Sequence, residues 1–185
     1  MEIVDNFVNT VFQDDVLDKI INNQFSWNYS KCGTQTEYDK RYHFVDDNTI
    51  DSSQFTHNLI EDSYITKYLL HYIEDYFGRN FSDRLLRVKV NMLLKDSTYK
   101  FNNYHIPHSD YTQESESVIY YVNDSDGDTF IFNEKPDINL TKITIRDRIS
   151  PVKGRALLFD SSYLHASSSP VISSERIIIN FVFKK

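Results

Sequence analysis

Three residues of this sequence could hold a metal ion together: the histidine and aspartate of His108-Ser109-Asp110, and a second histidine far downstream, His165. Side chains two residues apart on an extended segment point to the same side, so the imidazole of His108 and the carboxylate of Asp110 can converge on one point. A His-x-Asp sequence alone is a weak signal, because histidine is more often a core or surface residue than a ligand. With His165 added, two imidazoles and one carboxylate would cover one face of a metal and leave the other open, the ligand set that non-haem Fe(II) uses.

Arg176 adds a second feature, because it stands at the head of the apolar run 177–183. A guanidinium that leads into a buried strand needs a partner, since an unpaired buried charge is costly. A dicarboxylate cosubstrate would supply that partner through a bidentate contact. An ordinary ion pair with Glu175 or a surface aspartate is the alternative.

These residues must be positioned by helices and strands, and the predicted elements change from mainly helical to mainly extended near residue 84. Before it, we predict a strand at 3–8, a helix that opens at 13–15, and a broad helical pattern over 53–77 that Gly78 caps. After it, short strand patterns recur between turn signals, at 85–94, 99–105, 117–122, 129–132, 143–145, 155–159 and 175–183. Helices followed by evenly spaced strands predict a mainly β fold with flanking α-helices, an antiparallel sandwich or barrel.

Polar side chains accompany several of these strands. Tyr99, Tyr121 and Thr129 carry hydroxyl groups on three of them, and Arg87, Lys89 and Asn91 alternate with apolar residues on the strand 85–94. Loops at the mouth of a barrel usually carry specificity. We therefore expect four loops around a pocket, at 30–52, 101–105, 111–116 and 161–174.

Composition bounds the class of protein. At 185 residues, 40% of them hydrophobic, the chain suits one globular domain. The single cysteine, Cys32, fits a reducing compartment, and no apolar run approaches the roughly 20 residues of a spanning helix, so a soluble cytoplasmic protein is expected. The net charge of −7 makes nucleic acid an unlikely partner and a membrane is not expected; a peptide, protein or small-molecule substrate is.

Order and spacing of several motifs resemble the Fe(II)/2-oxoglutarate-dependent oxygenase superfamily, most closely its prolyl 4-hydroxylase-like branch. The resemblance covers roughly residues 84–184 and rests on Tyr99, His108-Ser109-Asp110, Ile119-Tyr120-Tyr121-Val122-Asn123, Gly127-Asp128-Thr129-Phe130, the segment 151–159, His165-Ala166 and Arg176. It implies a double-stranded β-helix, the cupin-like jelly roll, with N-terminal helices. The expected organisation is a single domain over 1–185, in which 1–83 support a jelly-roll core formed by 84–185.

The resemblance also implies roles for individual residues. His108, Asp110 and His165 would be the iron ligands and catalytic centre, and Arg176 would bind the distal carboxylate of 2-oxoglutarate. Three further cosubstrate contacts carry over, to Tyr99, Tyr121 and Thr129. The implied cofactors are Fe(II), with 2-oxoglutarate and O2 as cosubstrates and ascorbate as reductant. Two positions depart from the pattern: Val122 replaces a leucine, and Asp126 replaces the first glycine of a Gly-Gly-Glu-Thr-like turn.

The implied reaction is hydroxylation, with release of succinate and CO2, and a prolyl residue of a peptide or protein is the first candidate substrate. A small-metabolite hydroxylase, a nucleic-acid dealkylase and a non-catalytic metal-binding jelly roll are the alternatives. The dealkylase branch usually carries a second arginine six residues after the cosubstrate arginine, where this chain has Val182. We expect His105 to lie in the pocket wall or behind the metal ligands.

Overall fold

The computed structural model describes residues 1–32, 43–60, 63–111 and 113–185. These residues form two α-helices, one short 3-10 helix and ten strands. In chain order the elements are β1 (Glu2–Val4), α1 (Thr10–Ile21), β2 (Asn28–Ser30), β3 (Gln54–Asn58), α2 (Tyr64–Phe77), the 3-10 helix (Ser82–Arg84), β4 (Leu85–Leu94), β5 (Ser115–Tyr121), β6 (Thr129–Phe132), β7 (Ile145–Ile149), β8 (Ala156–Phe159), β9 (His165–Ser167) and β10 (Glu175–Lys184).

Two antiparallel sheets make up the core. Seven strands form the larger sheet, in the order β1-β8-β5-β10-β4-β3-β2, and three form the smaller one, in the order β7-β6-β9. Buried residues of both sheets meet in one cluster, which includes Ile119 and Ile178 of the larger sheet and Ile131 of the smaller. The two sheets therefore pack face to face, and the predicted jelly roll with flanking helices is confirmed.

Alternation along the strands of the larger sheet gives its two faces different tasks. On β10, Ile177 and Ile179 point outward into the core beneath the helices, whereas Ile178 points inward. Helices α1 and α2 cover the outer face through buried residues such as Val16 and Leu69. Burying each aliphatic side chain stabilises the fold by about 1.5–3 kcal/mol. The outer face holds the helices, and the inner face is left to line a cavity.

Both helices begin and end where their sequences allow. The side chain of Asn9 accepts a hydrogen bond from the backbone N–H of Phe12 and caps α1. Ser63 caps α2 in the same way, by accepting from Thr66. Gly78 ends α2 in the left-handed region, at φ 62°, which confirms the predicted cap. None of the helices among the described residues has the length and apolar character needed to span a membrane.

Three predicted elements have other bounds: the strand expected at 3–8 ends at Val4, the helix expected to open at 13–15 begins at Thr10, and the strand expected at 143–145 covers Ile145–Ile149. Two further predicted elements are of the wrong type. The helix expected over 53–77 begins only at Tyr64, and residues 54–58 instead form β3, which pairs with β4. The strand expected over 99–105 is a series of turns, fixed by side-chain caps such as Asn103 accepting from the N–H of Lys100 at 2.7 Å. In both places a contact outside the local hydrophobic pattern decides the conformation.

Candidate active site

Three side chains converge at one end of the space between the sheets. The possible ligand atoms of His108, Asp110 and His165 all lie within 4.8 Å of one another. His165 is the first residue of β9, and His108 lies beside it through two reciprocal backbone hydrogen bonds of 3.0 and 2.9 Å. The structure therefore brings the three predicted ligands together, and a backbone ladder rather than side-chain packing sets the distance between the two histidines.

The two imidazole rings are oriented as metal ligands require. Nδ1 of His108 lies 3.0 Å from the carbonyl oxygen of Ile106, and Nδ1 of His165 lies 3.0 Å from that of Tyr163. A carbonyl can only accept, so each Nδ1 carries the proton and each Nε2 keeps its lone pair. Nε2 of His165 points at the carboxylate, 3.4 Å from Oδ2 of Asp110.

Three neighbouring strands hold the carboxylate of Asp110 in place. Ser117 of β5 donates its hydroxyl to Oδ2 at 2.7 Å, and Arg87 of β4 donates Nη2–H to Oδ1 at 2.8 Å. Asn180 of β10 donates from Nδ2 to both oxygens, at 3.2 and 3.3 Å. These partners fix the direction of the carboxylate, as the residues around a metal ligand commonly do.

The protonation states also suit a metal. Burial lowers the pKa of His108 to about 3, and repulsion from His165 acts in the same direction, so this ring is neutral at neutral pH. Burial acts to raise the pKa of Asp110, but His165 and Arg87 outweigh it and hold that pKa well below its usual range. Neutral imidazole and ionised carboxylate are the ligand forms, so this donor set fits Fe(II).

A cavity of about 420 Å³ opens on the three residues and extends to Arg176, which lies in its wall with only 1% of its surface exposed. Nε–H of Arg176 donates to the carbonyl oxygen of Gly127 at 2.6 Å, and Nη2–H donates to Oγ1 of Thr129 at 2.7 Å. Both acceptors are neutral, and no carboxylate of the described residues forms an ion pair with Arg176. A buried cation with spare donors thus faces the same cavity as the three candidate ligands.

Gly127 allows the guanidinium to approach the backbone so closely. A Cβ at that position would lie 2.5 Å from the carbonyl oxygen of Ser168 and 3.0 Å from Cδ of Arg176. No side chain fits there without displacing one of them. Tyr121 supports the same cluster, because its hydroxyl lies 2.7 Å from Oγ1 of Thr129 and its ring centroid lies 5.9 Å from Cζ of Arg176.

The remaining predicted contact, Tyr99, lies apart from this cluster. Its hydroxyl donates to the carbonyl of Ile50 and lies 3.2 Å from Oγ of Ser52 and 3.1 Å from Nε2 of His105. His105 lines the cavity, as expected, with Tyr99 behind it. A contact between Tyr99 and a cosubstrate therefore stays a prediction. Of the loop expected at 30–52, His43 lines the cavity, while 33–42 and residue 112 of the loop at 111–116 lie outside the described residues.

Four polar residues for which the sequence predicted no role in the site form one wall of the cavity. It consists of Arg87, Lys89 and Asn91 of β4, with Gln54 of β3 beside them. Nδ2 of Asn91 donates to Oε1 of Gln54 at 2.9 Å. The sequence does contain a sign of this wall, since three polar residues stand at alternate positions of one strand. Such alternation in a central strand indicates that one of its faces is solvated or functional.

Comparison with known proteins agrees with this geometry. The model of the 2OG-Fe(II) oxygenase superfamily matches residues 95–184, which contain all three candidate ligands and Arg176. A search of curated proteins found no match to this sequence.

Several solved structures share the fold. A prolyl hydroxylase from Trichoplax adhaerens, in complex with a hypoxia-inducible factor peptide, is 16% identical with a TM-score of 0.64, covering 98% of this chain and 82% of its own. A prolyl-4-hydroxylase from Pseudomonas putida is 11% identical with a TM-score of 0.60, covering 100% and 91%. HygX from Streptomyces hygroscopicus, with nickel and 2-oxoglutarate bound, is 10% identical with a TM-score of 0.57, covering 98% and 81%. At such identities these likenesses establish the fold.

Proposed function

We propose that this chain, which belongs to the 2OG-Fe(II) oxygenase superfamily through residues 95–184, hydroxylates a substrate while converting 2-oxoglutarate and O2 into succinate and CO2. One observation carries the proposal. The two-histidine, one-carboxylate cluster and the buried guanidinium of Arg176, which forms no ion pair with a carboxylate of the described residues, open on the same cavity. A metal site alone would not need such a cation, and a structural arginine would not need to face the cavity.

Different residues of the cavity would bind the metal and the cosubstrate. His108, Asp110 and His165 would hold Fe(II), which supplies the activation of O2 on which the oxidation depends. Arg176 would bind the distal carboxylate of 2-oxoglutarate with the N–H groups that Gly127 and Thr129 leave free. Tyr121 keeps the hydroxyl of Thr129 directed at this point, and Tyr99 is proposed to act through His105.

Several side chains act without touching a reactant. Ser117, Arg87 and Asn180 keep the carboxylate of Asp110 ionised and fixed in direction, which keeps one ligand position constant during turnover. Ile119 and Ile178 line the floor of the cavity with apolar surface and exclude water from it.

Succinate release tests the proposal. Purified protein is incubated with 2-oxoglutarate, Fe(II) and ascorbate, and succinate is measured for the wild type, Asp110→Ala and a matched control, Asp47→Ala, which removes an exposed aspartate. We expect metal-dependent succinate from the wild type and the control and none from Asp110→Ala. Absence of metal-dependent 2-oxoglutarate binding by the wild type would refute the oxygenase proposal. Binding without any succinate would favour the non-catalytic metal-binding module.

For the substrate, we propose a prolyl residue of a peptide or protein. The support is the likeness to two prolyl hydroxylases together with the motif resemblance. A small-metabolite hydroxylase is the second candidate, and a nucleic-acid dealkylase the third, because the net charge is −7 and Val182 stands where a second arginine would be expected. Stimulation of succinate release by prolyl peptides, free amino acids or methylated oligonucleotides separates the three.

Two further expectations belong to the proposal. The chain would act as one domain, because strands from residues 1–83 and from 84–185 share the larger sheet. The cytoplasm remains the proposed location, and the single cysteine supports it.

A further inference from the structure

We propose that Lys89 forms a subsite that binds an oxyanion of the substrate, a carboxylate or a phosphate, beside the metal ligands. The inference rests on the proposed function and narrows its substrate class to anionic compounds. What carries it is the position of Lys89 in the cavity wall, where it is the one lysine or arginine of that wall with no hydrogen bond or ion pair among the described residues.

The register of the sheet places Lys89 next to the metal end of the cavity. Lys89 pairs with Asn180 of β10, whose amide contacts Asp110, and Arg87 lies two residues away on the same face of β4. Directly opposite residues in an antiparallel pair have Cβ atoms about 4.5–5.5 Å apart. An ammonium at this position would reach a substrate group bound beside the candidate ligand Asp110.

The other cations of the cavity wall already have partners. Arg87 forms an ion pair with Asp110 at 2.8 Å, and Arg176 donates to Gly127 and Thr129. Lys89 is half-buried, and burial, reinforced by the positive charge of Arg87, lowers its pKa to about 8. The carboxylate of Asp110 offsets only part of this effect, and a bound oxyanion would stabilise the ammonium further.

The carboxylate bound at Arg176 is not the oxyanion in question. Arg176 pairs with Leu93 and Asn180 pairs with Lys89, so four residues of strand separate the two cations. At about 3.3 Å per residue the backbone positions of the two cations lie roughly 13 Å apart, and hydrogen bonds to Gly127 and Thr129 hold the guanidinium of Arg176 at its own end of the cavity. Lys89 therefore remains available for an anion when a carboxylate is bound at Arg176, and the probes are titrated into protein already loaded with 2-oxoglutarate.

Matched probes can test this without turnover. Protein loaded with Ni(II) and 2-oxoglutarate, with its lysines ¹³C-methylated, is titrated with N-acetyl-L-proline against N-acetyl-L-prolinamide, and with glycerol 3-phosphate against glycerol. Lys89→Met identifies the Lys89 resonance. We expect the anionic member of one pair to shift that resonance and to bind about tenfold or more tightly than its neutral counterpart. The responding pair identifies carboxylate or phosphate.

Substitutions make the result specific. Lys89→Met should abolish the preference for the anion, Lys89→Arg should keep it, and Lys142→Met, which removes an exposed lysine, should leave it unchanged. The subsite would be refuted if, in protein that binds 2-oxoglutarate, the Lys89 resonance responded to neither anion. An equal response to the charged and the neutral compound of each pair would refute it as well. Either result would leave the oxygenase proposal standing. Failure to bind 2-oxoglutarate at all would instead refute the proposed function.

Discussion

Replacing Arg176 by methionine should remove 2-oxoglutarate binding while sparing the fold. The guanidinium uses Nε–H and one Nη2–H on Gly127 and Thr129, which leaves its other N–H groups for a carboxylate. Two charge-assisted hydrogen bonds at about 1.5–3 kcal/mol each amount to roughly 3–6 kcal/mol. At about 1.4 kcal/mol per tenfold change, the Kd for 2-oxoglutarate should rise at least about 100-fold.

A thermal shift assay measures this loss directly. With Ni(II) present and 2-oxoglutarate at about 100 times its wild-type Kd, linkage predicts about 2.7 kcal/mol of added stability. For a chain of this size that raises the Tm by about 5–10 °C. The same concentration should raise the Tm of Arg176→Met by about 2 °C at most. Without ligand the variant should fold but unfold at a lower Tm than the wild type, because the carbonyl of Gly127 and the hydroxyl of Thr129 each lose a buried hydrogen-bond donor.

Two other arginine variants serve as controls for the ligand-induced rise in Tm. Arg146→Met removes an arginine that pairs with Asp147 outside the cavity, so its ligand-induced shift should equal that of the wild type. Arg176→Lys keeps the charge but loses the planar fork, and its affinity should lie between the two. A full ligand-induced shift in Arg176→Met would refute the assignment of the cosubstrate end of the cavity.

Changes at Ser117, His108 and Gly127 each perturb a different part of the site. Ser117→Ala removes the hydroxyl that donates to Asp110 and should weaken metal affinity about 10–100-fold, measured by competition with a chromophoric chelator. The pKa of His108 is about 3 in the folded protein and 6.5 ordinarily, so the unfolded chain binds the extra proton between these values. Urea unfolding of metal-free protein should therefore show stability falling by up to about 1.4 kcal/mol per pH unit on acidification through this window, a slope that His108→Gln reduces. Gly127→Ala forces a Cβ against the carbonyl of Ser168 and should cost about 1–3 kcal/mol, with weaker 2-oxoglutarate binding by calorimetry.

Each of these has a matched control. Ser97→Ala removes an exposed hydroxyl and should leave metal affinity unchanged, and Gln24→Ala, which removes an exposed neutral side chain, should leave the pH slope unchanged. Gly78→Ala strains a left-handed position far from the cavity and should lower stability without changing the Kd for 2-oxoglutarate. Equal effects of a control and its partner would contradict the corresponding prediction.

Much of the fold could be predicted because its central strands carry strong local patterns. The bounds predicted for β4 and β6 agree with the structure, and those of β10 agree to within one residue. In β4, polar residues alternate with valines, and in β10 a continuous apolar run marks a strand buried on both faces. Such patterns do not depend on knowing the partner strand, so sequence alone suffices.

Segments whose conformation depends on distant partners were predicted less well. Residues 54–58 precede a true helix, and their own sequence has no distinctive alternation of apolar residues. They form a strand because β4 offers its free edge, and Gln54 and Thr56 become buried on the inner face there. Around Tyr99 the aromatic residue suggested a strand, but Asp96 and Asn103 cap the backbone into turns.

The site residues also differ in whether the sequence reveals them. Strand geometry predicted that His108 and Asp110 converge, residue type added His165 as a third candidate, and the motif resemblance assigned their roles and that of Arg176. The residues that orient Asp110 could not be found, because Arg87, Ser117 and Asn180 meet only through the register of three strands that are far apart in sequence. A single sequence does not contain that register.

Along β4, residues that pack in the core alternate with residues that face the cavity. Val88 and Val90 pack beneath the helices, whereas Lys89 and Asn91 face the cavity. Substitutions on opposite faces touch different neighbours, so their effects on stability should add rather than compound. We expect a library randomised at Lys89 and Asn91 to keep its fold in most members while its range of accepted compounds changes. Substrate preference in such a scaffold can diverge by single steps, each of which leaves a folded, metal-binding protein.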